Sequence, residues 1–170
     1  METRDEGLRA EIREMSRVDQ ELLHKRWMEN RDDQELASQI MEVTQKNTAR
    51  MHQIVDAHGW PGKTLVGEDG ANAAWLLVQH ADEDREFQKR CLELIAAAGP
   101  EEVSQGNLAY LVDRVRVGEG RPQVYGTQFW TDESGLFGPR PIEDEALVDE
   151  RRAGVGLGPL AEYKETMMGL

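Results

Sequence analysis

The sequence has a single cysteine and no long apolar run. One cysteine, Cys91, can form neither an internal disulfide nor a cysteine-rich zinc site. The longest apolar run falls far short of the ~20 residues that span a bilayer. The first residues, METRDEGLRAEIREM, are charged from the second position and contain no apolar signal segment. We therefore expect a cytoplasmic protein in a reducing compartment.

Positive charge is also scarce. The chain has 20 Lys and Arg against 33 Asp and Glu, which gives a net charge of −13. Such a surface repels a phosphate backbone, so we expect no nucleic acid as a partner. The lack of a long apolar run predicts no membrane span either. A small polar or cationic ligand fits the charge better, and a homodimer is possible. The acidity has a simpler alternative explanation, because net charge also keeps a protein soluble.

The motifs that bind common cofactors are missing. The sequence contains no P-loop, no dinucleotide-binding glycine turn and no Gly-x-Ser-x-Gly elbow. Di-iron bundles use two Glu-x-x-His motifs, and only one occurs here, from Glu21 to His24. His52 and His58 lie six residues apart, which does not place them on one helix face. We expect no cofactor and no metal, with a mixed site at His80 and Asp84 as the remaining metal alternative.

The length of 170 residues suits a single domain that covers residues 1–170. Apolar residues at spacings of three and four predict about five helices. The predicted helices run from 5 to 28, from Asn30 or Asp32 to about His58, from Ala71 to about Ala81, from Asp82 to Gly99, and around Leu108 to Val115 up to GEGRP. The third and fourth helices could also be one long helix. The glycine-rich segment 59–70 between the second and third is predicted to be a loop.

The last third of the chain has a different pattern. QVYGTQFW, residues 123–130, is β-rich, and TDESG and LFG can form a turn and a returning strand. The predicted two-stranded ribbon covers about 123–138, and a tail helix covers about 159–168. Residues 141–153 are predicted to be helical. The fold class is therefore mainly α, a helical bundle with a small β-ribbon near the C-terminal third.

Three short motifs occur together: GWP at 59–61, QHAD at 79–82 and YGTQ at 125–128. With AAWLLVQHAD and LVDRVRVGEGRPQVYGTQ intact, the chain resembles a bacterial family of unknown function from roughly residue 47 to residue 152. The resemblance implies a compact helical protein with one shared site. The positions that match the recurrent polar motifs are Asn47, Trp60, Gln79, His80, Asp113, Arg114, Tyr125, Thr127 and Gln128.

His80 is the strongest candidate for acid–base chemistry. It follows an apolar run and Gln79, and on a continuous helix it would share a face with Asp84. That carboxylate could orient the imidazole or raise its pKa, and histidine titrates near neutral pH. The structural alternative is a half-buried histidine held by a carboxylate, such as Asp113, inside a polar network.

The other candidates are predicted to bind substrate. Arg114 could hold a substrate carboxylate, or form an ion pair under the ribbon with Asp113. In a strand, Tyr125 and Thr127 would share one face, with Gln128 on the other; the alternative is a packed ribbon with a bulge. Each remaining candidate has a structural alternative as well, since buried amides need partners and Trp usually fills a core. These candidates are Asn47, Trp60 and Gln79.

The leading hypothesis is a cofactor-independent enzyme that acts on a polar metabolite by elimination, cyclisation or hydrolysis. His80 would carry the proton, and Asp84 or Asp113 would orient it. The end of the QHAD helix would meet the YGTQ ribbon at a polar pocket. The alternative is a non-catalytic acidic interaction module or homodimer scaffold, and a metal-dependent hydrolase is the third possibility.

Overall fold

The computed structural model describes residues 5–29 and 32–169. These residues form a mainly α structure with one small antiparallel sheet, which confirms the predicted fold class. They divide into two compact units, Met1–Val103 and Ser104–Leu170. The single domain over 1–170 stays a prediction. None of the helices within the described ranges is long and apolar enough to cross a membrane.

The first two helices of the first unit follow the predicted ranges closely. Helix α1 covers Glu6–Met28 and helix α2 covers Gln34–His58. The side chain of Asp33 begins α2 by accepting a hydrogen bond from the Leu36 amide at 3.0 Å, so Asp33 is the N-cap in place of Asp32. Asn30, the other predicted cap, lies outside the described residues.

Helix α3, Lys63–Gln79, begins eight residues earlier than the predicted Ala71. The predicted loop 59–70 is therefore wrong beyond its first residues. Gly67 interrupts the helix with φ 72° and ψ 171°, and helical turns form on both sides of it. From the sequence, this glycine is predicted to lie in a loop. Glu102, distant in sequence, accepts a hydrogen bond from the Thr64 amide at 3.0 Å and caps the early start.

Helix α4 covers Arg85–Ala98 and is separate from α3. Its N-cap is Asp84 and not the predicted Asp82, because the Asp84 side chain accepts from the Phe87 amide at 3.0 Å. Gly99, with φ 96°, ends the helix as predicted.

The core of the first unit lies where α1, α2 and α3 pack together, with α4 against α3. Trp27 does not continue the apolar face of α1, because its side chain is 66% exposed near the helix end. The core is built from buried apolar side chains on all four helices: Leu8, Ile12, Met51, Ile54, Val55, Val66, Ala74, Leu77, Val78, Phe87, Cys91 and Ile95.

The second unit contains helix α5 (Gln105–Gly118), strands β1 (Phe129–Thr131) and β2 (Phe137–Pro139), a short 3-10 turn, and helices α6 (Val148–Gly154) and α7 (Leu160–Met168). The strands pair antiparallel with Trp130 opposite Gly138. The ribbon is shorter than predicted, because residues 124–128 form no strand. Gln123 makes only an isolated bridge to Ile142.

Candidate functional site

His80 forms a hydrogen-bonded pair with a buried carboxylate of α1. Its Nδ1 lies 2.7 Å from Oδ2 of Asp19. The side chain of Asp19 is 3% exposed and that of His80 is 23% exposed. The imidazole therefore contacts a buried carboxylate through Nδ1 and is itself partly accessible, and a carboxylate bonded to Nδ1 can orient a catalytic histidine.

The position of Asp19 follows from the buried stripe of α1. Leu8 and Ile12 fill the apolar part of this stripe, and Ser16 and Asp19 continue it at helical spacing. A carboxylate on a buried helix face needs a hydrogen-bond donor, and His80 supplies one from the end of α3.

The expectation that Asp84 orients His80 is wrong. Helix α3 ends at Gln79 and His80 is its C-cap, so the spacing of four residues does not bring the two side chains onto one helix face. Oδ2 of Asp84 instead lies 2.8 Å from Nε2 of His52 on α2. Among its described residues, the first unit thus contains two histidine–carboxylate pairs.

The pair of His52 and Asp84 is more exposed than the pair of His80 and Asp19, with 37% of the first side chain and 41% of the second accessible. The hydrogen bond from His52 holds the pKa of the Asp84 carboxyl below its usual value. The amide of Phe87 lowers this pKa further, while partial burial opposes the shift. The His52 ring also stacks on Phe87, with ring centroids 3.8 Å apart. These contacts hold the ring in place and favour the ionised form of Asp84.

Three further candidates of the first unit are buried. Gln79 is 5% exposed at the end of α3, while Asn47 and Trp60 are each 8% exposed. Nδ2 of Asn47 and Nε1 of Trp60 have no hydrogen-bond partner among the described residues. The expected burial of the Asn47 amide is confirmed, and its role as a site residue stays a prediction.

In the second unit, Asp113 is fully buried and accepts hydrogen bonds from the YGTQ region. Its donors are the amides of Val124 at 2.7 Å, Tyr125 at 3.0 Å and Thr127 at 3.0 Å, and the Thr127 hydroxyl at 2.9 Å. Converging N–H groups of this kind stabilise a buried anion. Asp113 therefore holds the loop 124–127 in place, and both of its oxygens are engaged in doing so.

The neighbouring candidates belong to the same network. Gln128 donates from Nε2 to the Thr127 hydroxyl at 3.0 Å, and its Oε1 accepts from Arg114 at 2.8 Å. Gly126 has φ 70° and a Cβ there would lie 2.8 Å from Leu160, so this loop requires glycine. The predicted alternation of Tyr125 and Thr127 along a strand is wrong, because the segment is irregular and is hydrogen-bonded to Asp113.

Sequence reasoning missed two residues, Asp19 and His52. A signal for Asp19 existed, since it lies four residues after Met15 and three before Leu22 on the apolar stripe. His52 had no comparable signal, because its partner Asp84 is 32 residues away in sequence.

Metal ligation finds no support in the part of the chain that the structure describes. No three His, Cys, Asp or Glu side chains within residues 5–29 and 32–169 are grouped so that they could hold a metal ion. Cys91 is buried in the core, and burial raises the pKa of its thiol to about 12. This environment fits a structural role for Cys91 as a buried side chain of the core.

In the part of the chain that the structure describes, the fold and these contacts define a mainly helical protein with two histidine–carboxylate pairs in one unit and a buried polar network in the other. The profile of a family of unknown function (DUF6624) matches residues 6–169. The chain belongs to this family, which confirms the expected membership of a family of unknown function. Two finer statements stay predictions: that the family is bacterial, and that the motifs GWP, QHAD and YGTQ mark it. No curated protein and no solved structure matches the chain.

Proposed function

We propose that the protein is a cofactor-independent enzyme that acts on a small polar metabolite, with His80 as the proton carrier and Asp19 as the carboxylate that orients it. The pair of Asp19 and His80 carries this proposal. Because the carboxylate accepts the Nδ1 proton, the lone pair of a neutral imidazole lies on Nε2. No described residue forms a hydrogen bond with that Nε2, so it is free to serve as a general base.

The chemistry needs one proton carried in two directions. Nε2 removes a proton from the substrate or from water, and the resulting imidazolium returns it to the leaving group. Asp19 stabilises the imidazolium as a buried anion 2.7 Å away. Elimination, cyclisation and hydrolysis all use this sequence. Asp84 and Asp113 are engaged with other donors, so neither is the orienting group in this proposal.

The test is a turnover screen with matched variants. Wild-type protein, His80→Gln and Asp19→Asn are incubated with small esters, lactones, amides and hydroxy acids, and products are followed by NMR. We expect His80→Gln to lower kcat for a converted substrate by about 100-fold or more. His24→Gln, which changes an exposed histidine of α1, is the control and keeps full activity. Unchanged turnover by His80→Gln contradicts the proposal.

An interaction module is the second candidate, and one observation favours it. Large apolar side chains are exposed near the end of α1 and the start of α2, with Met28 at 66% and Met41 at 50%. Beside Met28 on α1, Trp27 is also 66% exposed, and neighbouring exposed apolar side chains of this size favour an interaction site. On this view His80→Gln lowers the melting temperature and abolishes no activity. Sedimentation of wild type against Met28→Glu shows whether this surface joins two copies.

A further inference from the structure

A cavity of about 310 Å³ opens between α2 and the turn that precedes α4. The α2 wall presents Thr44, Thr48 and His52 at intervals of four residues, so they share one helix face. The opposite wall comes from the turn before α4. The complete lining is Thr44, Gln45, Thr48, Ala49, His52, Ala81, Glu83 and Asp84.

We propose that this cavity binds a small organic cation, a ligand with an ammonium group on a compact body. The inference does not depend on the enzymatic role of His80, which lies outside the cavity lining. It assigns a ligand class to the second histidine–carboxylate pair, which the proposed function leaves without a role.

The charge of the lining selects a cation. Two carboxylates, Glu83 and Asp84, face the cavity, and none of its eight lining residues is Lys or Arg. Asp84 is ionised at neutral pH, as an ordinary aspartate is, and the hydrogen bonds from His52 and the Phe87 amide hold its pKa below the usual value. An anionic ligand would meet repulsion without a counter-charge, whereas an ammonium ion gains attraction from both carboxylates.

The hydrogen-bonding groups of the lining also favour a cation, because several of the donors already bond to acceptors within the cavity wall. The Thr48 hydroxyl donates to the Thr44 carbonyl at 2.9 Å, and Nε2 of Gln45 lies 3.0 Å from Oε2 of Glu83. If His52 donates from Nε2 to Asp84, its other nitrogen becomes an acceptor. The groups with remaining capacity are mainly acceptors, which a ligand rich in N–H donors satisfies.

The size and walls favour a compact ligand. A volume of about 310 Å³ is at the lower end of the range for ligand cavities. Ala49 and Ala81 contribute apolar surface, and the fixed ring of His52 adds an aromatic wall. A short amine with an apolar or aromatic body matches this combination.

The experiment compares three probes of one shape and different charge: benzylammonium, benzyl alcohol and benzoate. Each is titrated into the full-length protein, and amide and histidine ring resonances are followed by NMR. Benzylammonium is expected to bind with a Kd on the order of 1 mM. It should shift resonances of residues 44–52 and 81–84 in a saturable way. The neutral and anionic probes should bind about tenfold more weakly or not at all.

Matched variants separate a specific site from general attraction to an acidic protein. Asp84→Asn keeps an N-cap for α4 and removes the cavity charge, and Glu83→Gln removes the second charge. Both should weaken benzylammonium about tenfold. Asp56→Asn removes an exposed α2 carboxylate outside the lining and should leave binding unchanged. Equal affinity for benzoate, no saturable shift, or equal weakening by Asp56→Asn overturns the proposal. Glu83→Gln decides the matter if Asp84→Asn does not fold.

Discussion

At the scale of single residues, Asp113 is a carboxylate that is buried and surrounded by hydrogen-bond donors. It is fully buried and accepts hydrogen bonds from three backbone amides and one hydroxyl of residues 124–127. An anion placed there is stabilised because each oxygen faces donors. If one carboxylate oxygen is replaced by a donor group, buried N–H groups lose their acceptor. The free-energy cost of this is larger than the cost of losing one exposed hydrogen bond.

Asp113→Asn should therefore destabilise the protein by about 2–4 kcal/mol, because the new NH₂ group meets backbone donors. Urea unfolding followed by circular dichroism measures the change. Asp132→Asn is the matched control. Asp132 caps an exposed turn, where Oδ1 accepts from Ser134 and Leu136, and an Asn Oδ1 can do the same. If both variants unfold at the same urea concentration, the Asp113 network does not stabilise the second unit.

At the scale of elements, helix α3 is interrupted by a glycine whose φ and ψ are not helical. Gly67 lies inside the helix with φ 72° and ψ 171°, a conformation that residues with a Cβ adopt only under strain. The interruption separates the first turn after GWP from the part that leads to Gln79 and His80. The direction of the His80 segment therefore depends on this glycine.

Gly67→Ala should cost about 1–3 kcal/mol of unfolding free energy, because alanine is strained at this φ and ψ. Gly7→Ala is the contrasting variant, in the first turn of α1. A Cβ at Gly7 meets only Oδ1 of Asp5 at 3.5 Å, an ordinary contact, so alanine should stabilise by about 0.5–1 kcal/mol. Chemical denaturation of both variants measures the pair. If Gly67→Ala has the same unfolding free energy as the wild type, the inference that alanine is strained at this position is wrong.

At the scale of the whole molecule, charge imbalance is the dominant property. The 33 acidic side chains outnumber the 20 basic ones, and the net charge is −13. Exposed ion pairs such as Lys46 with Glu42 neutralise some acidic side chains, but there are too few basic residues to neutralise them all. The compact state therefore experiences self-repulsion, which the expanded unfolded chain partly relieves.

Raising the salt concentration should stabilise the protein, because screening weakens the repulsion over distances longer than the Debye length. We expect the melting temperature to rise by roughly 2–4 °C between about 0.01 M and 0.3 M NaCl. Calorimetry measures it, and sucrose, which leaves charges unscreened, serves as the comparison solute. A fall in melting temperature with NaCl would mean that the exposed ion pairs outweigh the net repulsion.

The parts of the fold that were predictable carry local signals. Helix α1 was predicted from its apolar stripe, and the ends of α2 and α4 were predicted at about His58 and at Gly99. The start of α3 was missed, because its N-terminal amides are capped by Glu102, which lies 38 residues away. The partner of His80 was missed for the same reason, since Asp19 lies 61 residues before it.

The sequence by itself determined the mainly helical class and the acidic net charge, and it proposed His80 and the YGTQ segment as candidate site residues. It could do so because helix periodicity, glycine stops and net charge are local or additive properties. Only the tertiary structure decided which carboxylate faces which histidine, and that Asp113 holds a loop. Those pairings depend on how separate helices pack, because burial forces each polar group to find a partner wherever the chain has placed one.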